Sequence, residues 1–171
     1  MDALLLVSGK SSRVAPISDK SLLPFQGCPL FIHLLKNALE GGVKKCTVVT
    51  NEANNSAIQK VLKTYQFNAQ TVLQKDLSTG QAGGVLSGLQ KISKDSPILV
   101  LSGNDWISSE GIQNLLKDGK KHDGAILSRK VSHYFPGGYL KLRNDGTISE
   151  IIEKPTPGTE PSSYINLVAH Y

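Results

Sequence analysis

Short apolar runs alternate along the chain with segments in which apolar residues recur every third or fourth position. Ala3–Val7 is continuously apolar, the pattern of a strand covered on both faces. Pro29 then stands where a first helical turn tolerates proline. Phe31, Leu34, Leu35 and Ala38 follow at helical spacing, and Gly41-Gly42 closes that helix. Cys46–Thr50 is a second, β-branched strand. A helix opening near Asn54-Asn55-Ser56, residues suited to a cap, lines up Ile58, Val61, Leu62 and Tyr65 on one face. Beyond it the pattern predicts a short strand over Ala69–Leu73 and a helix over Ala82–Ile92 despite its glycines. A buried strand over Ile98–Leu101, a capped helix over Ser109–Leu116 and a strand over Ala125–Leu127 come next.

This β-α-β-α order predicts an α/β fold, Rossmann-like, with three layers (α/β/α) around a mainly parallel sheet. The tail changes character. Tyr139–Leu142, Ile148–Ile152 and Ile165–Ala169 read as strands joined through turns at Asn144-Asp145-Gly146 and Pro155–Pro161, so antiparallel strands are expected toward the C-terminus. No repeat, low-complexity tract or interdomain linker interrupts the pattern, and residues 1–171 are expected to form a single domain.

Composition narrows the function classes. Apolar residues make up 39% and charged residues 19% of the chain, ordinary globular values. No apolar run approaches the ~20 residues of a membrane-spanning helix, and Ala3–Val7 has no basic lead-in or cleavage site of a signal peptide, so a cytoplasmic location is expected. Cys28 and Cys46 form neither a disulfide framework nor a zinc spacing. The net charge of +5 suggests an anionic partner, yet the lysines are spread out and the ten aromatic residues are scattered, which argues against nucleic acid. His33, His122, His133 and His170 lack metal-ligand spacing, and no nucleophile–histidine arrangement can be proposed from sequence.

Ligands of open α/β sheets bind where strands end and loops begin. The loop after the first strand, Ser8-Gly9-Lys10-Ser11-Ser12-Arg13, is followed by Pro16 and reaches Lys20. It reads either as a phosphate cradle with cationic help or as a polar turn with solvated cations, and it is neither a Walker loop nor a dinucleotide fingerprint. The strand at Ile98–Leu101 ends in Ser102-Gly103-Asn104-Asp105, where a carboxylate suits a hard metal or a turn equally.

Taken in order, these segments resemble the sugar-1-phosphate nucleotidylyltransferases over essentially the whole chain. The loop at Ser8–Arg13 looks like that family's Gly-x-Gly-Thr-Arg signature, with Pro16 in its usual place. Lys20-Ser21-Leu22-Leu23-Pro24 with Gly27-Cys28-Pro29-Leu30 looks like its lysine segment. Gln74 with Gly80-Gln81-Ala82 and Gly88 resembles the base-reading segment, and Gly103-Asn104-Asp105 the magnesium-binding Gly-Asp. Gly137-Gly138-Tyr139, Asp145-Gly146 and Ile152-Glu153-Lys154-Pro155 resemble the sugar-binding stretch.

The resemblance implies transfer of a nucleotidyl group from an NTP, UTP or dTTP favoured, to a sugar-1-phosphate, releasing pyrophosphate, with Mg²⁺ as cofactor. Arg13 and Lys20 would be catalytic. Ser8, Gly9, Lys10, Ser11, Ser12, Gln74, Gly80, Gln81 and Gly88 would hold the nucleotide and Asp105 the metal; Gly138 and Glu153 would hold the sugar hydroxyls, Lys154 the sugar phosphate, and Asn166 would also bind that substrate. Homo-oligomerisation is left open. Ser11 and Ser12 replace the family's glycine and threonine, Gln81 stands where threonine or leucine is usual, and Asn104 stands where the family has its aspartate. Family members continue past a strand at this place, so the resemblance implies a domain whose C-terminal part lies beyond Tyr171. The alternatives are a catalytically silent paralogue that binds a nucleotide or sugar nucleotide and regulates a partner, and a cytidylyltransferase for a non-sugar alcohol phosphate.

Overall fold

The computed structural model describes residues 1–11, 19–93 and 96–171. Ser12, Arg13 and Pro16 lie outside the described residues. The described chain divides into two compact units, Met1–Ala125 with Ala169–Tyr171, and Ile126–Val168.

The first unit is built on parallel strands. β1 (Asp2–Leu6) lies between β4 (Lys45–Thr50) and β6 (Ile98–Ser102), with Leu5 opposite Val48 on one side and Leu101 on the other; β5 (Gln70–Leu73) pairs outside β4. The last residues of β10 (Tyr164–His170) run antiparallel beside β6, Ala169 opposite Leu101. The near-continuous apolar runs of β1 and β6 suit strands covered on both faces, whereas β5 at the edge is partly exposed. α1 (Leu30–Glu40) buries Phe31, Ile32, Leu34, Leu35 and Ala38, the spacing seen in sequence, and packs beside α4 (Ser109–Gly119). α2 (Asn55–Thr64) leans on β5 through Ile58 and Leu62. α3 (Gly80–Leu89) packs on β1, β4 and β5, where Leu4, Leu6, Val49 and Val100 form a core with Ile92.

In the second unit β8 (Gly138–Leu142) pairs antiparallel with β9 (Ile148–Glu153), and β10 joins β8 at Ile165 opposite Tyr139; β7 (Ile126–Lys130) pairs with β10. The chain is therefore an α/β protein with mainly parallel strands flanked by helices and antiparallel strands toward the C-terminus, as expected.

Several boundaries differ from the sequence reading. α3 begins at Gly80 and stops at Leu89, so Ile92 joins the core from a turn; α4 runs on to Gly119, and β7 starts at Ile126. A two-residue ribbon, β2 (Pro24–Phe25) with β3 (Cys28–Pro29), was not anticipated. Its turn residues Gln26 and Gly27 both have positive φ, +44° and +87°, the type I′ geometry that tight hairpins favour.

Candidate active site

The carboxyl ends of β1, β4, β5 and β6 converge, and side-chain amides hold the first loop there. Asn54 Nδ2 donates to the Val7 carbonyl at 2.7 Å and Asn51 Nδ2 to the Ser8 carbonyl at 2.9 Å, while the Ser8 hydroxyl donates to Gln74 Oε1 at 2.5 Å. All of these polar residues are buried. Beyond this root Gly9 and Lys10 are exposed, and Ser11 holds φ +51°. A left-handed serine costs roughly 1–2 kcal/mol where glycine would cost little. The backbone thus takes at Ser11 the conformation for which the family pattern supplies glycine. The Ser11 hydroxyl oxygen accepts the Lys20 N–H at 3.0 Å, which ties the lysine segment to the loop.

Lys20, Lys10, Ser11, Ser21 and Asn104 line a cavity of about 200 Å³. Asp19 also lines it, but its Oδ1 accepts the Ser21 N–H at 2.8 Å as well as the Ser21 hydroxyl, and its Oδ2 accepts from Asn54 at 2.5 Å. A larger cavity of about 340 Å³ shares Gly9, Lys10 and Asn104 with the first and is bounded by Gln74, Gly80 and Gln81. Lys10 also acts on Asp76, whose carboxyl is held below its ordinary range chiefly by the Ser78 hydroxyl and N–H, with the Lys10 charge a lesser cause.

Gln74 and Gly88, which the resemblance assigns to the nucleotide, both make close contacts within the protein. Gln74 is 3% exposed, and its Nε2 donates to the Gly80 carbonyl at 2.8 Å, the Asp76 carbonyl at 3.1 Å and the Thr79 hydroxyl at 3.3 Å. Its amide is committed to the protein, while the neighbouring Gln81 is exposed at the cavity wall. Gly88 packs against the sheet: a Cβ there would lie 2.5 Å from Leu4 Cδ2 and 3.1 Å from Val49 Cγ2.

In the second unit Gly138 lies opposite Glu153 in the β8–β9 ladder, and a Cβ on Gly138 would lie 3.2 Å from Glu153 Oε2 and 3.7 Å from Asn166 Cβ. Ile151 Cγ2 would stand closer still, at 3.0 Å, so the position is closed to a larger side chain. Lys154 holds φ +47° just before Pro155, although a residue preceding proline favours extended backbone. Its ammonium is 3.9 Å from Glu153 Oε1, an exposed and therefore weak pair.

Asp105 sits in the turn after β6, its N–H donating to the Ser102 carbonyl at 3.1 Å, and the cavity walls take Asn104 rather than Asp105. Among the described residues no group of three His, Cys, Asp or Glu side chains could hold a metal. Sequence reasoning missed Asn51, Asn54 and Asp19. Asn54 looked like an ordinary cap, and no local signal separates the two uses.

The family model for nucleotidyl transferases matches residues 2–170. The chain belongs to that family. Among its relatives, the bifunctional protein GlmU of Methanococcus maripaludis is 31% identical over 172 residues, covering 97% of this chain and 38% of that protein. The bifunctional sugar-1-phosphate nucleotidylyltransferase/acetyltransferase of Sulfurisphaera tokodaii is 30% identical over 97% of this chain and 39% of its own length. The chain thus spans about two-fifths of these curated relatives. A UDP-glucose pyrophosphorylase solved with UDP-glucose superposes with a TM-score of 0.83 over 99% of this chain and 74% of that one, at 19% identity, a likeness of fold. In this member of the family one strand-end cavity is lined by Lys10 and Lys20 and the other by Lys10, and the loop at Gly9-Lys10 borders both.

Proposed function

We propose that this nucleotidyl transferase moves a uridylyl or thymidylyl group from UTP or dTTP to a sugar-1-phosphate. The observation that carries the reading is the pair of cavities joined through Gly9, Lys10 and Asn104, one polar with two lysines and one walled by Gly80 and Gln81. A nucleotide laid across them has its base in the larger and its phosphates in the smaller. The Sulfurisphaera tokodaii relative, named as acting on sugar-1-phosphates, supports the acceptor class.

A phosphate oxygen of the sugar-1-phosphate attacks the α-phosphorus, the bond to the bridging oxygen of the β-phosphate breaks, and pyrophosphate leaves with that electron pair. Two polyanions must meet in line, so charge neutralisation is the main task. Lys20 and Lys10 supply it from the chain, with Arg13 assigned to the leaving pyrophosphate by the resemblance. Magnesium, when bound, spreads the phosphate charge, and Asp105 is the carboxylate that would hold it. By the resemblance, Gly138 and Glu153 would hold the sugar hydroxyls and Lys154 the phosphate of the sugar, with Asn166 also binding that substrate. No side-chain nucleophile is needed.

A thermal-shift panel with UTP, dTTP, CTP, GTP and ATP, each with Mg²⁺, tests the reading. A ligand at 100 times its Kd stabilises by about 2.7 kcal/mol, roughly 5–10 °C for a chain of this size. The expected result is a shift for UTP or dTTP that Lys20→Ala largely abolishes, together with a turnover at least 100-fold lower for that variant, about 3 kcal/mol of transition-state stabilisation. No shift with any nucleotide, or turnover of Lys20→Ala within threefold of wild type, refutes it.

A further inference from the structure

An asparagine at a helix N-cap ordinarily turns its side-chain oxygen onto the helix's own free N–H groups, a bond worth about 1 kcal/mol. Asn54 occupies that place before α2 and makes no such bond. Its oxygen accepts the Asn51 N–H at 2.9 Å, and its Nδ2 donates to both the Val7 carbonyl and the Asp19 carboxylate. Asn51 answers it: its oxygen accepts the Asn54 N–H at 2.9 Å and its amide donates to the Ser8 carbonyl. The two asparagines are 6% and 4% exposed, so these bonds form away from water, where an unpaired partner is costly.

We propose that Asn54 is a positioning residue for the transfer site, locking the root of the β1 loop and the Lys20 segment into one relation. The proposal rests on the reading of Lys10 and Lys20 as the phosphate-neutralising pair. Asn54 reaches the loop at Val7 and the lysine segment at Asp19. Asp19 in turn takes both the N–H and the hydroxyl of Ser21, so the residues flanking Lys20 are fixed on either side. Lys20's own N–H is held by Ser11. Lys10 and Lys20 line one small cavity, and an anchored backbone fixes where their two like charges start from. The side chain that the helix forgoes as a cap supplies that anchor.

Asn54→Asp tests this with little change of size. It keeps an oxygen for the Asn51 N–H and a residue favoured at N-caps, removes the donor to Val7, and sets a second carboxylate against Asp19. Hydrogen exchange of the whole chain is expected to speed at least tenfold across Val7–Lys10 and Asp19–Leu23, with Ile58–Leu62 of α2 unchanged. Titration with UTP and Mg²⁺ is expected to show Kd raised at least tenfold. The swap Asp19→Asn with Asn54→Asp restores an N–H···O bond in the opposite sense and recovers part of both losses. Asn54→Ser, which cannot reach Asp19, reproduces the single defect should Asn54→Asp fold poorly, and Gln59→Ala on the exposed side of α2 moves neither reading. Unchanged exchange in the two loops overturns the lock. Faster exchange with unchanged Kd overturns the positioning role. Wild-type protein that binds no nucleotide overturns the function proposed above, whereas the exchange data still accept or reject the lock.

Discussion

Replacing Gly88 with alanine separates a packing role from a ligand role with one methyl group. Gly88 lies in the last turn of α3, over Leu4 of β1 and Val49 of β4, both fully buried. The added Cβ would stand 2.5 and 3.0 Å from the two Leu4 methyls and 3.1 Å from Val49 Cγ2. Carbon atoms rest at about 3.5–4.0 Å, so the overlap with Leu4 is on the order of 1 Å, and the sheet behind it leaves no escape. Over-packing of this kind costs about 1–3 kcal/mol, against a gain of up to about 1 kcal/mol for alanine over glycine within a helix. The expected net loss is about 1–2 kcal/mol, a fall in Tm of roughly 2–8 °C. Urea unfolding followed by far-UV circular dichroism measures it. The decisive arm is the Leu4→Ala background, itself weaker by about 2–5 kcal/mol. There the Leu4 methyls are gone and only the 3.1 Å approach to Val49 Cγ2 remains, so Gly88→Ala is expected to stabilise by up to about 1 kcal/mol. A change of the same sign and size in both backgrounds refutes the close seating of α3. Nucleotide affinity of Gly88→Ala is expected within twofold of wild type. Lost binding without lost stability would instead put Gly88 beside the ligand, as the family resemblance implies.

Further tests follow from the buried thiol and the turn after β6. Burial, with a lesser contribution from the Asp2 charge, pushes the Cys46 thiol from its ordinary 9.0 up to about 12. The native state keeps a proton that the unfolded chain loses, so this group's stabilisation is complete below pH 9 and is lost as pH rises toward 12, by up to about 1.4 kcal/mol per unit. Urea midpoints from pH 8.5 to 10.5 are expected to fall more steeply for wild type than for Cys46→Ala, by about 2 kcal/mol in all, and parallel curves would sink the argument. At the strand end, Asn104→Asp puts a carboxylate where both cavities meet and is expected to strengthen the dependence of UTP binding on Mg²⁺ at least fivefold, while Asp105→Asn weakens it. Identical metal titrations for both variants and wild type would place the metal contact elsewhere.

Much of the fold was legible because burial has a short period. Phe31, Leu34, Leu35 and Ala38 announced one face of α1, and the unbroken run at Ala3–Val7 announced a strand covered on both sides. The order of those elements implied the parallel sheet, and the loops at its carboxyl edge were already the places to look for Lys10 and Lys20. The tertiary structure alone decided what the polar groups there do. Gln74 reads in sequence as a base contact, yet its amide is used up by Ser8, 66 residues away, and by the turn around Gly80. Asn54 reads as a cap, yet it bonds to Val7, 47 residues back, and to Asp19. Gly88 belongs by resemblance to the base-reading segment, and the structure sets Leu4 against the space a side chain there would need. The difference is physical: an apolar side chain needs only a covered face, which local spacing supplies. A buried amide needs particular donors and acceptors at about 3 Å, and these come from strands that meet only once the chain has folded.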